Sequence, residues 1–286
     1  MTYVIHGATG AQGGPLLARL LQAGHRAVAA TRRPPVAGGL PAVVADHDSV
    51  ESLVAAYRGA QGVFIHLPVT AEADRLRYAR NMASAIAMAR PRRVVISTSG
   101  WVIDEPGSPV QNPPESAIAT LIRETEASGV SMAVVAPRLF FENLLNPLVL
   151  EPVKVDGVLR YPLRADYRVS WSSHLDVAEV AERLLADTAI TGIVGVGQSP
   201  GLTGDELAAG FASFFQRAVT YESLTPEAFG AMIAPMLGEG PAAGVVAGYQ
   251  AQALATSNTI AAETSAQVRL DVAPRATQRW LADLLT

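Results

Sequence analysis

Short apolar runs alternate along the first half of the chain with stretches whose apolar positions recur every three to four residues. Tyr3-Val4-Ile5, Ala27-Val28-Ala29-Ala30-Thr31, Ala42-Val43-Val44-Ala45, Gly62-Val63-Phe64-Ile65-His66-Leu67, Arg93-Val94-Val95-Ile96-Ser97 and Met132-Ala133-Val134-Val135 read as strands. Helical patterns lie between them, over 15–23, from the cap Ser49 to Tyr57, over 72–89 and over 115–127. Apolar strands each followed by an amphipathic helix predict a parallel sheet covered on both faces. The stretch from Asp104 to Pro114 is rich in Pro, Gly and Asn and reads as a loop.

The pattern loosens after residue 140. Phe140 to Leu150 is apolar, with Pro147 and Pro152 as breakers. Ser173 caps a further helix, and Gly192-Ile193-Val194-Gly195-Val196 reads as one more strand. Helices follow over 204–217 and 226–237, then Gly/Ala-rich sequence, then a last helix over 278–285. The predicted organisation is a larger domain over 1–140, to which 172–198 returns, with 141–171 and 199–286 as a smaller lobe.

The first strand runs into Gly7-Ala8-Thr9-Gly10-Ala11-Gln12-Gly13-Gly14 and then directly into a helix carrying Leu16, Leu17, Leu20 and Leu21 on one face. A strand, a glycine-rich turn and a helix N-terminus make a phosphate-binding device, because the free amides and the positive end of the helix dipole point at the anion. Gly7 permits the tight turn, Gly10 the approach of a pyrophosphate, and Gly13 close packing of helix on strand. Thr9, Ala11 and Gln12 complete the turn. The fold class is therefore α/β, a doubly wound parallel Rossmann-type sheet with a smaller α/β lobe in the C-terminal half.

The end of the second strand selects the nucleotide. An acidic residue about 20 positions after the glycines would bond the ribose hydroxyls of NAD. Arg32 and Arg33 stand there instead, and guanidinium groups favour a 2′-phosphate. NADP(H) is the expected cofactor and NAD(H) the lesser alternative. Ligands of such sheets bind beyond the carboxyl ends of the strands. The candidate site is then residues 9–13, Arg32, Asp46-His47, His66-Leu67-Pro68, Ser97-Thr98-Ser99 and Ala136-Pro137-Arg138.

Composition narrows the chemistry. The 286 residues are 49% hydrophobic and 17% charged, enough for a large core, and the formal charge of −4 argues against nucleic acid or an anionic membrane as partner. No cysteine is present, which excludes disulfides and thiolate chemistry and fits a reducing compartment. A strand starting at residue 3 leaves no room for a signal peptide, and a cytoplasmic location is expected. The five histidines lack ligand spacing, so no metal is expected, and no Gly-x-Ser-x-Gly elbow suggests a hydrolase.

Several segments in one order resemble the NmrA-like branch of the atypical short-chain dehydrogenase/reductases. They are the G-A-T-G-x-x-G opening, Thr31-Arg32-Arg33, Ala45-Asp46 and Pro137-Arg138-Leu139-Phe140-Phe141-Glu142-Asn143-Leu144-Leu145. Leu175-Asp176-Val177-Ala178-Glu179-Val180-Ala181, Thr203-Gly204-Asp205-Glu206-Leu207, Val219-Thr220-Tyr221, Pro226-Glu227-Ala228-Phe229, Pro274-Arg275 and Trp280-Leu281 extend the likeness over nearly the whole chain. The resemblance implies that Gly7, Gly10, Gly13 and Arg32 hold the dinucleotide and that Asp46 lies near the adenine. It also implies that Leu67, Pro68 and Pro137 line the nicotinamide end and that Asn143 stands at the substrate cleft.

The wider superfamily pairs a tyrosine with a lysine four residues later, the lysine lowering the phenol pKa for proton exchange. None of the seven tyrosines here has that lysine, and the single lysine of the chain, Lys154, lies after the domain junction. Substitute proton donors are Ser99, His66, His174 and Tyr161, and Ser99 also serves as a substrate contact. Each fits a plain role more readily: a strand-end hydroxyl, a structural histidine, a helix start, a packing tyrosine. The function expected is an NADP(H)-dependent oxidoreductase acting on a small, largely apolar carbonyl, quinone or enone. A non-catalytic NADP(H)-binding redox sensor, or a biosynthetic enzyme of this fold doing non-redox chemistry, stands as the alternative. The expected partner is a small molecule, with a homodimer or a protein partner left open.

Overall fold

A computed structural model describes residues 2–33 and 39–285; residues 34–38 of the expected first domain and the end residues 1 and 286 lie outside the description. The chain begins β1 (Thr2–His6), α1 (Gly13–Gln22), β2 (Ala27–Thr31), β3 (Ala42–Val44), α2 (Val50–Tyr57), β4 (Ala60–Ile65), α3 (Glu72–Ala89), β5 (Val94–Ser97), α4 (Ala117–Ala127) and β6 (Met132–Pro137). It continues through β7 (Leu139–Phe140), α5 (Pro147–Asp156), β8 (Val158–Tyr161), β9 (Arg168–Val169), β10 (Trp171–Ser172), α6 (His174–Ala186) and β11 (Gly192–Val196). The remainder is α7 (Gly204–Phe215), β12 (Thr220–Ser223), α8 (Pro226–Leu237), α9 (Glu239–Leu254), β13 (Ser257–Asn258), α10 (Ala266–Leu270) and α11 (Thr277–Leu285).

Among the described residues, seven strands form one parallel sheet in the order β11-β6-β5-β4-β1-β2-β3. The order reverses between β1 and β4, where Ile5 lies beside Ala29 on one side and Phe64 on the other. The period-two alternation of strand side chains feeds two cores. Tyr3, Ile5 and Val95 pack with Leu16, Leu17 and Leu20 of α1 and Val177, Val180 and Leu184 of α6. Val4, Val94 and Ile96 pack on the other face with α2, α3 and α4 through Leu53, Met82, Ile86 and Leu121.

Local chemistry fixes the helix starts. Ser49 and Ser116 accept the amides of Ser52 and Ala119, and Ser173 with Asp176 and Thr203 with Glu206 form capping boxes. Each cap contributes about 1 kcal/mol. Arg93, at 0% exposure, ties three elements by donating to Leu184 O at 2.8 Å, Ser131 Oγ at 2.8 Å and Ile190 O. All its partners are oxygens of the neighbouring α6, β6 and β11 region, so the buried cation is satisfied.

The C-terminal half has its own core, in which Phe141 stacks on Trp280 at 5.0 Å and on Trp171 at 5.8 Å between ring centroids. Two segments differ from the sequence pattern. Pro152, expected as a breaker, sits inside α5, whose Val149, Leu150 and Val153 are buried; tertiary packing of that face outweighs the missing hydrogen bond. The Gly/Ala-rich stretch is the 16-residue helix α9, packed against α8. Gly230 makes that approach close, since a Cβ there would lie 2.3 Å from Val246 Cγ2. Ala266 of α10 and Val272 pack into the sheet-side core with α1 and α6.

Candidate functional site

At the reversal point the turn after β1 faces the end of β4. Gly7 has φ +60°, and a Cβ there would fall 2.0 Å from His66 Nε2, so the position needs glycine for conformation and for space. Gly13 is forced by packing, because its Cβ would lie 2.4 Å from His6 O and 2.5 Å from Gly7 O. Gly10 differs. Among the described residues its one near neighbour would be Gly7 O at 3.3 Å, and with Thr9 and Ala11 it is exposed. Protein packing therefore makes little demand for glycine at position 10, and the open backbone leaves room for a phosphate group at the start of α1.

Gln12 is 8% exposed and reaches from this turn to the end of β5. Its Nε2 donates to Ser99 Oγ at 3.0 Å, and its Oε1 accepts from Ser97 Oγ at 2.7 Å. Ser97 Oγ also accepts the Ser99 amide at 3.2 Å. Ser99 is held at φ +55°, and Gly100 follows at +90°. A non-glycine residue in the left-handed region stores strain, and such strain is maintained where the surroundings enforce it. Because Ser99 Oγ accepts from Gln12, its own proton remains free to donate.

A cavity of about 260 Å³ at one end of the cleft is lined by Arg32, His47, Pro68, Val69, Thr70 and Tyr78. Arg32 and Arg33 are both exposed, and Arg32 alone lines the cavity. Asp46 lies beside it, its Oδ1 accepting the Asp48 amide at 3.1 Å and its amide donating to Ser52 Oγ at 3.0 Å. Behind His47 runs a buried chain. His6 Nδ1 is 3.3 Å from His47 Nε2, and Tyr57 Oη is 2.8 Å from His6 Nε2. Burial drives the His6 pKa well below the ordinary histidine value, with His47 and His66 adding to the effect. The His47 pKa falls through burial and the nearby Arg32, partly opposed by Asp46.

Pro68, Val69 and Thr70 also border a second cavity of about 450 Å³. It gathers Ala11, Gln12, His66, Leu67, Pro68, Ser99 and His174 from the expected set, with Phe140 of the family-like segment after β6 and with Arg75 and Trp101, which sequence reasoning did not single out. Pro137 is buried at the end of β6 and does not line this cavity. Phe140, three residues on, takes the wall, its ring 4.2 Å from that of His174. Burial lowers the His66 pKa, opposed by a hydrogen bond to the Leu67 backbone, and His66 Nε2 is buried without a hydrogen-bond partner.

His174 opens α6 and has a carboxylate behind it. Glu142 Oε1 accepts from Ser173 Oγ at 2.7 Å and from the His174 amide at 3.0 Å. Its Oε2 is buried without a hydrogen bond, 3.8 Å from His174 Nδ1. Burial lowers the His174 pKa while Glu142 raises it. The imidazole can thus hold or release a proton at the cavity wall, and a proton taken up gives Glu142 Oε2 a partner.

Tyr161 and Asn143 stand elsewhere. With Glu142, Phe229, Ile233 and Tyr249 they line a separate cavity of about 450 Å³ in the C-terminal half. Tyr161, 1% exposed, hydrogen-bonds the Tyr249 hydroxyl, and burial together with Tyr249 drives its pKa well above the ordinary tyrosine value. Lys154 is on α5, paired with Glu151 at 2.9 Å. Among the described residues no group of three or more His, Asp or Glu side chains is placed to hold a metal, and no helix is long and apolar enough to cross a membrane.

Comparison with solved structures shows the same fold at low identity. A nucleoside-diphosphate-sugar epimerase of Staphylococcus aureus is 19% identical, with a TM-score of 0.80 over 98% of this chain and 99% of that one. An NADPH-dependent quinone oxidoreductase of Escherichia coli, in complex with NADPH, is 18% identical with a TM-score of 0.77 over the full length of both chains. A triphenylmethane reductase of Citrobacter sp., in complex with NADP(H), is 16% identical with a TM-score of 0.80, covering 99% of this chain and 100% of that chain. No curated protein matches the sequence significantly. The model of the NmrA-like family matches residues 1–271, nearly the whole chain, and the protein belongs to that family.

Proposed function

We propose that this chain is an NADP(H)-dependent oxidoreductase that reduces a small carbonyl, quinone or enone. The observation that carries the reading is a cleft at the reversal point, with Arg32 in one cavity and Ser99 and His174 in the next, the two meeting at Pro68, Val69 and Thr70. Solved structures of the same fold include reductases described as complexed with NADPH or NADP(H), which supports the same cofactor class here.

The residues fit that cofactor. The exposed turn of Thr9, Gly10 and Ala11, with Gly7, Gln12 and Gly13 setting its shape, would hold the pyrophosphate. Arg32, aided by Arg33, would bind the 2′-phosphate, and among the described residues no carboxylate lines that cavity to favour NAD(H) instead. Asp46 would lie near the adenosine, and Leu67 and Pro68 would flank the nicotinamide. When bound, the cofactor supplies hydride.

The remaining chemistry belongs to the chain. The Ser99 hydroxyl, its oxygen engaged by Gln12, donates to the acceptor oxygen of the substrate. His174 delivers the proton, with Glu142 compensating its charge. His66 shapes the floor against Gly7. Tyr161 and Asn143 act at a distance from this cavity, in the lobe. Residues 1–140 and 172–198 form the dinucleotide-binding body, and 141–171 with 199–286 the substrate-side lobe. The test is anaerobic mixing with NADPH and a panel of quinones and conjugated enones. Oxidation of NADPH above background, lost in His174→Gln, supports the proposal. No oxidation across the panel, together with strong discrimination between NADP⁺ and NADPH in calorimetry, would favour a redox sensor instead.

A further inference from the structure

Arg75 is the one Lys, Arg, Asp or Glu among the described residues lining the cavity that holds Ser99 and His174. Its side chain is anchored on two sides. Nη1 donates to Glu72 Oε2 at 2.8 Å, and the guanidinium lies 4.8 Å above the Trp101 ring. Glu72 is itself fixed, because its Oε1 accepts the Ala117 amide at 2.7 Å where α4 begins. Trp101 is fixed by the tight turn after Ser99 and Gly100, its amide donating to Thr98 O at 3.0 Å, yet the residue is 44% exposed and lines the cavity.

An ordinary i,i+3 ion pair would leave the arginine in water. Arg75 is 8% exposed, and only one of its five donors is used by Glu72. Burial pulls its pKa down and Glu72 opposes this, the balance of a cation partly stripped of solvent. The two histidines beside it, His66 and His174, exchange protons and carry no permanent charge, whereas the guanidinium stays charged. The cavity therefore presents a single fixed positive charge, with a planar fork of free donors and an aromatic plate next to it. That combination recognises a planar anion bidentately.

We infer that Arg75, held over Trp101, anchors a carboxylate carried by the substrate. The inference rests on the oxidoreductase reading of the same cleft and deepens it: the acceptor is a planar carbonyl or quinone with an acidic substituent rather than a wholly apolar one. A cofactor phosphate would offer the same anionic chemistry, so the test must separate the two sources.

The probes are 1,4-naphthoquinone and its 2-carboxylate, each offered with NADPH to the full-length protein and to Arg75→Gln and Arg75→Lys. Binding of the same two probes to the NADP⁺-loaded protein is measured by calorimetry, so that a result is obtained even without turnover. The expected outcome is tighter binding and lower KM for the carboxylate. Arg75→Gln should raise that KM and Kd by about 10- to 100-fold while changing the neutral quinone less than about twofold. Arg75→Lys should restore only part of the affinity, because the bidentate fork is lost. Thermal unfolding of each variant checks that the Glu72–Ala117 tie survives.

Equal binding of the two probes by the wild type would overturn the inference. So would an equal loss on both probes in Arg75→Gln, which would make the arginine a stabiliser of charge developing in the reaction. Weakened NADPH binding in Arg75→Gln with unchanged probe discrimination would assign it to a cofactor phosphate and likewise overturn it. Absence of NADPH oxidation with both quinones, alongside selective binding of the carboxylate, would sink the oxidoreductase reading and leave the anion anchor standing.

Discussion

Gln12 and Ser99, 87 positions apart in sequence, are joined by a 3.0 Å hydrogen bond that spans the reversal point of the sheet. The bond couples the glycine turn to the one residue at the end of β5 held at positive φ without being glycine. Ser99→Gly relieves the strain of φ +55° but takes the acceptor from the buried Gln12 Nε2, and because each effect is about 1 kcal/mol, stability should change little. The same substitution removes the hydroxyl, so turnover should fall by about 10- to 100-fold. Thermal unfolding and steady-state kinetics on one preparation check both halves. A variant that is less stable and equally active would contradict the assignment.

The three glycines of the turn should separate cleanly. Gly13→Ala puts a Cβ 2.4 Å from the backbone oxygen of His6, which cannot move without disturbing β1, and should cost about 2–3 kcal/mol or prevent folding. Gly10→Ala meets only Gly7 O at 3.3 Å and should fold with little loss. Its cost should appear in dinucleotide affinity, as a fall of about tenfold or more measured by calorimetry, since the methyl group occupies the approach to the pyrophosphate.

Arg32→Glu replaces the cation in the cavity formed with His47 and Tyr78 by the acid that suits an unphosphorylated ribose. NADPH affinity should fall by about 10- to 100-fold, and the preference over NADH should shrink or invert. Unchanged NADPH binding would refute the cofactor assignment. Arg33, which lines no part of that cavity, should matter less.

The sheet, its helices and the glycine turn were legible because hydrophobic periodicity and turn chemistry are local signals. The C-terminal half was less so. The α9 helix exists through contact with α8, where Gly230 admits Val246, and no short-range pattern in Gly/Ala-rich sequence announces a partner that close. At the site, Ser99, His66 and His174 could be named because they follow strands or open a helix. Arg75 and Trp101 could not. Arg75 reads as one more polar residue on a charged helix until the fold turns its guanidinium over an indole from another loop. Tyr161 shows the converse: a plausible donor by residue type, which the fold places with Tyr249 in a different cavity.

The pH dependence of stability should carry the mark of four histidines, His6 buried and the other three partly buried. His6, His47, His66 and His174 all have folded pKa values below the ordinary one, with burial the leading cause. The unfolded chain then binds protons more readily than the native state, so stability is full above pH of about 6.5 and is lost as pH falls towards the depressed folded values. Urea unfolding between about pH 7 and pH 5 should show this loss before most carboxylates titrate, with a slope of up to about 1.4 kcal/mol per pH unit for each histidine involved. His6→Gln should be less stable at neutral pH, because Tyr57 loses its partner, yet its stability should depend less on pH by about one proton. An unaltered slope would show that His6 does not contribute.

Glu142 offers a way to distinguish a proton donor from a helix start at His174. As a general acid, His174 must be protonated, so turnover should decline as pH rises through its pKa, which burial has lowered and Glu142 has partly restored. Glu142→Gln removes the charge 3.8 Å from Nδ1 while retaining an oxygen able to accept from Ser173 and the His174 amide. The His174 pKa should then drop further, and the decline in kcat should move to lower pH, with the rate at neutral pH reduced by about tenfold per unit of displacement. His174→Gln should abolish that limb and lower kcat by about 100-fold or more. If Glu142→Gln lowers Tm but leaves the pH profile of kcat in place, the carboxylate only holds the start of α6, and the proton must come from Ser99 or from water.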